Sequence, residues 1–212
     1  MKPILERTIG EYLEALASSA PSPGGGSVAG VVGILAAGLG QMVVSLTRKD
    51  EPGHPLDAAY DALQEAIDAL LESAQTDESA YGRYLEASQL PKSTPEEKQA
   101  RREAMQAAMI NAAEVPMGLA GHALAVLDHL EPVMRQGTTH ALSDAAIGVS
   151  LAQASVTAAL ANVYANIPFI KDEATATDLT NRANAIQTSA NHQARHLLQI
   201  PPTREPSRTP PR

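Results

Sequence analysis

The sequence predicts an all-α fold, an orthogonal or up-down bundle of long helices. Apolar residues recur at steps of three and four along nearly the whole chain, and no segment alternates apolar with polar residues well enough to form a strand. Two Thr-x-x-Glu capping boxes mark helix starts. With one Phe, five Tyr and no Trp among 212 residues, the core must be built from Ala, Leu, Val and Ile, which places helices close together. The apolar pattern is continuous over residues 1–200, so one domain is expected, large enough to bury a core without metal or disulfide support.

Thr8-Ile9-Gly10-Glu11 opens a first helix, expected to reach about Ser18, with hydroxyl and carboxylate each satisfying an orphan backbone donor. A second helix follows Gly24-Gly25-Gly26, carries Val28, Val31, Leu35, Leu39, Met42 and Leu46 at helical spacing, and ends near Thr47-Arg48-Lys49-Asp50. Pro52-Gly53-His54-Pro55 is a turn. The third helix shows a seam of Leu56, Tyr60, Leu63, Ile67, Leu70, Ala74, Asp77, Tyr81 and Tyr84, and Asp77 is its one acid. Pro91-Lys92-Ser93 is a loop, after which Thr94-Pro95-Glu96-Glu97 restarts a helix with proline at the first helical position, where its missing donor costs nothing. Pro116 predicts a kink or break near Glu114-Val115, with the pattern resuming through Leu119, Leu124 and Leu127. Beyond Gly137, Ser143-Asp144 is expected to cap a long helix bearing Ile147, Leu151, Ala158 and Val163 and stopping near Pro168. Leu179, Ala183, Ile186, Ala190 and Leu197 mark a last helix. Residues 201–212 hold no apolar side chain to bury and are expected to form a disordered Pro/Arg-rich tail.

The absence of cysteine excludes disulfides, thiolate metal sites and cysteine nucleophiles. A formal charge of −8 argues against nucleic acid, whose phosphates call for clustered Lys and Arg. Met1 to Arg7 lacks the apolar core of a secretory signal, so a cytoplasmic location is expected. Gly24–Thr47 and Ala145–Ile170 carry no charge over more than the roughly 18 residues at which a membrane span is considered. Ser150, Gln153, Ser155, Thr157, Asn162 and Asn166 would each need an internal partner in hydrocarbon, so central helices of a bundle are expected and no membrane. Helices apolar on most sides need neighbours within the domain or across a dimer seam, and Gly33, Ala37 and Gly40 admit close approach; a homodimer is expected. His192 and His196 have the i, i+4 spacing of a metal pair without a third ligand, and no metal is expected.

Three readings compete for Gly24-Gly25-Gly26-Ser27. It is a flexible linker, an anion site at a helix N-terminus for a phosphate or carboxylate, or a nucleotide-binding loop. The last is excluded, because no strand precedes it and no Lys precedes Ser27. Ser27 caps the helix or donates to a ligand. Asp77 leads the candidate acids, since a carboxylate in an apolar seam costs stability unless paired; a rotation of the helix that exposes it is the alternative. Asp144 either serves chemistry or faces a helix dipole. Lys49 and its neighbours read as a solvated helix end. Asn162 and Asn166, one turn apart on an apolar helix, either contact a ligand or join helices.

The stretch Pro21-Ser22-Pro23-Gly24-Gly25-Gly26-Ser27-Val28-Ala29-Gly30, running on to Gln41 through Lys49, resembles the folate cyclodeaminase/cyclohydrolase family. The likeness continues at Asp77-Glu78-Ser79-Ala80-Tyr81, Leu90-Pro91-Lys92, Ala113-Glu114-Val115-Pro116, Ser143-Asp144 and Asn162 through Ile167, in order and nearly to Leu198. One segment departs: the family has Gly-Asn before its Ser-Asp, and here Gly137 is followed by Thr138-Thr139-His140. The resemblance implies an all-α homodimer acting on a one-carbon tetrahydrofolate, with no cofactor beyond that substrate and no metal. It implies catalytic roles for Asp77, Asp144 and Lys92, and substrate contacts from Gly24, Gly25, Gly26, Ser27, Lys49, Ser143, Asn162 and Asn166. Lys92 would act as an acid or hold the substrate's glutamate tail, with a surface lysine before a helix as the alternative reading. His140 lies in the departing segment and is not implied by the resemblance; as an imidazole near Asp144 in sequence it is a candidate proton shuttle. A single short chain favours methenyltetrahydrofolate cyclohydrolase. Formiminotetrahydrofolate cyclodeaminase is the alternative, and the departing segment motivates a third, a non-catalytic folate-binding or structural dimer.

Overall fold

A computed structural model describes residues 3–49 and 53–201, and for residues 77–81 the backbone alone. The expected tail beyond Pro201 therefore lies outside the described residues, as do Asp50 and Pro52. Among the described residues six α-helices follow in order: α1 (Ile9–Leu16), α2 (Gly25–Arg48), α3 (Asp57–Ser88), α4 (Pro95–Gln136), α5 (Leu142–Asn166) and α6 (Glu173–Leu198). Short 3-10 turns occupy Ile4–Glu6, Thr139–Ala141 and Ile167–Phe169, and no strand occurs among the described residues. The all-α expectation holds.

The helices α2 to α5 form an up-down bundle in which α2 and α4 each pack against both α3 and α5, and α6 lies against α4 and α5. Both capping boxes form. Thr8 Oγ1 accepts from Glu11 N–H at 3.1 Å while Glu11 accepts from Thr8 N–H at 2.7 Å, and Thr94 and Glu97 do the same at 3.2 and 3.1 Å. Asp172 caps α6 by accepting from Thr175, which holds its carboxyl below the usual carboxylate range. Arg182 of α6 forks onto Glu114 of α4 at 2.7 and 2.9 Å and also reaches Asp178 at 3.2 Å; these carboxylates raise its already high pKa.

Several expectations need correction. Of the kink or break expected near Glu114-Val115, the break does not occur: α4 runs on through Pro116 and Pro132, because each proline removes one backbone bond while buried neighbours such as Ala113, Met117 and Leu119 hold the helix in place. Ser143-Asp144 is not a cap. The helix α5 starts at Leu142 out of the preceding 3-10 turn, its cap position is Ala141 with no side-chain bond, and Asp144 sits in the first turn. The glycine run is not a linker either, for Gly25 and Gly26 already belong to α2, Gly24 is its N-cap, and Ser27 lies inside the helix. The first helix stops at Leu16.

The bulky stripe on α2 faces outward. Leu35 is 56% exposed and Leu46 51%, with Met42 also exposed, whereas the buried side is Gly26, Ala29, Gly30, Gly33, Ala36, Ala37, Gly40 and Val43. Size decides the matter. A Cβ at Gly30 would stand 2.6 Å from Ala74 Cβ of α3, one at Gly33 2.9 Å from Ser155 Oγ of α5, and one at Gly40 2.7 Å from a Leu130 methyl of α4. Larger residues on that side would hold the three neighbours apart, so they turn away. Ile147 of α5 is likewise 51% exposed. The expected stripe of α5 is only partly buried, for Ala158 is exposed and Leu151 half-buried while Val163 is buried, and the core side of α5 is instead Val149, Val156 and Leu160. These meet the expected Leu56, Leu63, Leu70 and Ala74 of α3, Leu119 and Leu127 of α4, and Leu179 and Leu197 of α6 in one core, joined by Leu130. Buried Ser155 donates to the Ala29 carbonyl at 2.7 Å, which satisfies its hydroxyl inside the bundle. By length and composition alone, α2, α4 and the segment Thr139–Phe169 are long and apolar enough to cross a membrane.

Candidate functional site

At one end of the bundle a cavity of about 780 Å³ opens between the N-terminus of α2, the C-terminus of α5 and the α4 segment from Met105 to Ala112. That volume suits a small organic ligand. Its wall is Pro21, Ser22, Gly24, Gly25 and Gly26 on one side, Asn162, Asn166 and Phe169 on another, and Tyr84, Met105, Gln106, Met109 and Ala112 on the third.

The glycines keep the first wall thin. Nothing but the Pro21 carbonyl, at 3.9 Å, would meet a Cβ at Gly24, and a Cβ at Gly25 would rest 3.7 Å from both amide atoms of Asn162. Because the first backbone bond of α2 runs from Val28 N–H to the Gly24 carbonyl at 3.1 Å, the Gly25 and Gly26 N–H groups precede any intrahelical acceptor. They bring the positive end of a helix to the cavity. Ser22 adds a buried hydroxyl that has no protein hydrogen-bond partner. Asn166 lines the cavity and joins helices: its Nδ2 donates to the Ala112 carbonyl at 2.8 Å, tying α5 to α4, and to the Asn162 carbonyl at 3.0 Å within α5.

The far wall is apolar and fixed. Gln106 donates to the Phe169 carbonyl at 3.2 Å and accepts from Lys171 N–H at 2.8 Å, so one side chain clamps the turn after α5. Phe169 is 63% exposed there, beside Met105 and Met109. An aromatic ring and two thioethers across from an amide and helix N–H groups suit a flat heterocycle with polar edges.

Of the candidates from the sequence, Gly24, Gly25, Gly26, Asn162 and Asn166 are brought together. Ser27 stands behind them, fully buried and hydrogen-bonded to the Tyr12 hydroxyl at 3.0 Å, which ties α1 to α2. Asp77 lies on α3 seven residues, about two turns, before Tyr84, but its side chain lies outside the described residues. Lys92 is exposed in the α3–α4 loop and does not line the cavity. Lys49, Ser143 and Asp144 are at the other end of the bundle: Lys49 ends α2 in a left-handed conformation (φ 46°), and Thr138 N–H, four residues after α4's Met134, donates to Thr47 Oγ1 at 2.9 Å. His140 lies with them. A helix of 24 residues, about 36 Å long, separates the two groups. His192 and His196 are exposed on α6, the latter 3.2 Å from the Arg135 guanidinium, and no group of three metal-ligating side chains occurs among the described residues.

Met105, Gln106, Met109, Phe169 and Ser22 escaped the sequence reading. The signals were a methionine pair at i, i+4 and the chain's one phenylalanine just after Asn166.

Compared with known proteins, residues 8–185 match the formiminotransferase-cyclodeaminase family. A methenyltetrahydrofolate cyclohydrolase of Methylorubrum extorquens is 34% identical over 171 residues, covering 79% of this chain and 82% of that protein. The chain belongs to the formiminotransferase-cyclodeaminase family. Another relative, the formimidoyltransferase-cyclodeaminase of Gallus gallus, is 31% identical over 208 residues, which is 96% of this chain and 38% of that longer protein. This member of the family thus spans little more than a third of the Gallus gallus protein. The crystal structure of formiminotetrahydrofolate cyclodeaminase from Thermotoga maritima has the same fold, with a TM-score of 0.80 over 93% of this chain and 96% of that one at 24% identity.

Proposed function

We propose that the chain is a one-carbon folate enzyme, a methenyltetrahydrofolate cyclohydrolase working as a cytoplasmic homodimer, and that the α2–α5 cavity holds the folate. The observation that carries this reading is the composition of that cavity: a side-chain-free helix N-terminus and the Asn162 amide face Met105, Met109 and Phe169 across a space of about 780 Å³. The pterin would lie flat against the apolar wall with its polar edge toward Asn162. The 34% identity over most of a cyclohydrolase favours this activity.

In the reaction, water adds to the cationic carbon bridging N5 and N10, a proton leaves the adduct, and the bond to N5 breaks as N5 is protonated, giving 10-formyltetrahydrofolate. Helix N–H donors and a fixed amide hold the substrate in register, and a carboxylate nearby favours the cation and moves the proton. Asp77, two turns from Tyr84 on α3, is the candidate for that carboxylate. The step is a hydrolysis without electron transfer, so it calls for no redox cofactor, and no nucleic acid or membrane partner is proposed. Internal bonding of Ser155 to the Ala29 carbonyl supports α5 as a bundle helix.

A second reading, formiminotetrahydrofolate cyclodeaminase, is favoured by the 31% identity over 96% of the chain to the Gallus gallus protein. There N10 would attack the formimino carbon and ammonia would leave. One experiment separates the two: purified protein is mixed with 5,10-methenyltetrahydrofolate while its near-ultraviolet absorbance is followed, then with 5-formiminotetrahydrofolate while ammonia is measured. Catalysed loss in the first supports the cyclohydrolase, ammonia in the second supports the cyclodeaminase, and turnover of neither overturns the enzyme reading.

A further inference from the structure

Hydrolysis of the one-carbon bridge moves two protons, one off the attacking water and one onto N5 as its bond to carbon breaks. The cavity is poor in groups that can do this. Of the described residues that line it, Tyr84 is the one with an ionisable side chain; the remaining polar side chains there are the amides of Gln106, Asn162 and Asn166 and the hydroxyl of Ser22. Amides keep their protons, and an aliphatic alcohol is a far weaker acid than a phenol.

We propose that Tyr84 is a catalytic residue, the acid that protonates N5 in the bond-breaking step. The role rests on the folate-hydrolysis reading and supplies it with a group for the second proton.

Packing brings Tyr84 to the wall where the chemistry belongs. Arg101 Nε donates to the Ser88 carbonyl at 2.9 Å, which lays the last turns of α3 along the start of α4. Tyr84 precedes Ser88 by four residues and Met105 follows Arg101 by four, so in this antiparallel pair one turn of each helix leads from the tie to the cavity. Charge puts the bridge at the same wall. The Gly25 and Gly26 N–H groups carry the positive end of α2 to the glycine wall, which repels a cationic bridge. The electron-rich face of a tyrosine ring attracts one. Asp77, the candidate base, precedes Tyr84 by seven residues, so the two positions share a stripe of α3 about 10 Å apart along its axis. The phenol is also free for the task. Tyr12 bonds to Ser27 at 3.0 Å and Tyr164 to Asn184 at 2.8 Å, whereas half-buried Tyr84 makes no hydrogen bond among the described residues.

The protons balance. Water adds to the bridge carbon, and the carboxylate takes one proton from the new oxygen and releases it to solvent. In the neutral adduct the C–N5 electron pair returns to N5, which takes the Tyr84 proton. The carbon–oxygen double bond forms at the same time, and the adduct's hydroxyl proton passes to the phenolate. Tyr84 ends as it began, and the products are 10-formyltetrahydrofolate and one proton.

The test is Tyr84→Phe, which keeps the ring and removes one oxygen, assayed by loss of near-ultraviolet absorbance from 5,10-methenyltetrahydrofolate. Its kcat should fall at least about a hundredfold while KM changes less than about twofold. Equilibrium dialysis with 5-formyltetrahydrofolate should give wild-type affinity, because the proton moves only in the transition state. Tyr164→Phe, which loses a hydroxyl bonded outside the cavity, should keep the wild-type kcat. A wild-type kcat in Tyr84→Phe, a raised KM at unchanged kcat, lost affinity for 5-formyltetrahydrofolate, or an equal fall of kcat in Tyr164→Phe overturns the role. In each of these cases turnover by the wild-type chain leaves the proposed function standing. A wild-type chain under which 5,10-methenyltetrahydrofolate decays at the solvent rate refutes the proposed function, and this role with it.

Discussion

Replacing Gly30 by alanine tests why α2 turns its small residues inward. The added Cβ would stand 2.6 Å from Ala74 Cβ and 3.3 Å from the Leu70 carbonyl oxygen, both of them fixed to the α3 backbone, so no rotamer change relieves the contact. Carbon atoms prefer about 3.5–4.0 Å, which means α2 and α3 must part by roughly 1 Å. Overpacking of this kind costs about 1–3 kcal/mol, and a rigid obstacle belongs at the upper end. Alanine recovers about 1 kcal/mol of helix propensity, so the net loss is about 2 kcal/mol. For a chain of this size that lowers Tm by roughly 4–8 °C. Thermal and urea unfolding of Gly30→Ala should be read beside Gly118→Ala, where nothing lies within 4 Å of the new Cβ and the propensity gain of about 0.5–1 kcal/mol stands alone. Adding Ala74→Gly to Gly30→Ala should remove most of the steric loss. If Gly30→Ala is as stable as wild type, or if Ala74→Gly gives no rescue, the close α2–α3 approach is refuted.

Three further outcomes follow from the site and the caps. Gly25→Val should raise KM for the folate at least about tenfold, because its Cβ fits against Asn162 and its methyls project into the cavity, while kcat changes little; an unchanged KM in steady-state kinetics would remove α2's N-terminus from the site. Asp77→Asn should abolish turnover while far-ultraviolet circular dichroism stays as in wild type, and undiminished rates would take Asp77 out of the mechanism. Because the Asp172 carboxyl is held below its unfolded value by Thr175, its capping contribution is present above the unfolded pKa and is lost as pH falls through the lowered one. Amide exchange, corrected for intrinsic pH dependence, should therefore lose protection at the start of α6 only in acid, and Asp172→Ala should show that loss at neutral pH as well.

Periodicity located the helices because apolar spacing and the two capping boxes are local signals. It failed to say which side of α2 or α5 faces the core, since Val28, Val31, Leu35, Leu39, Met42 and Leu46 share a face just as Ala29, Gly33, Ala36 and Gly40 do. Both faces are apolar, and steric room then decides. The cavity was half legible. Asn162 and Asn166 stood out as polar side chains on an apolar helix, and the glycines stood out as a run. Met105, Gln106 and Met109 did not, because only the tertiary approach of α4 to α5 brings them to the site. Lys49 and Asp144 were legible as residues and not as positions: their order along the chain carries no information about the length of α2 that separates them from Gly25.

The central claim is that the cavity at the N-terminus of α2 turns over a folate one-carbon bridge. Its most direct measurement is the initial rate of near-ultraviolet absorbance loss from 5,10-methenyltetrahydrofolate, taken against substrate concentration for wild type and Gly25→Val under identical buffer. The account predicts a saturable rate well above the solvent reaction in wild type, displaced to much higher substrate concentration in the variant. Decay at the solvent rate in wild type, or superimposable saturation curves for the two proteins, would contradict it.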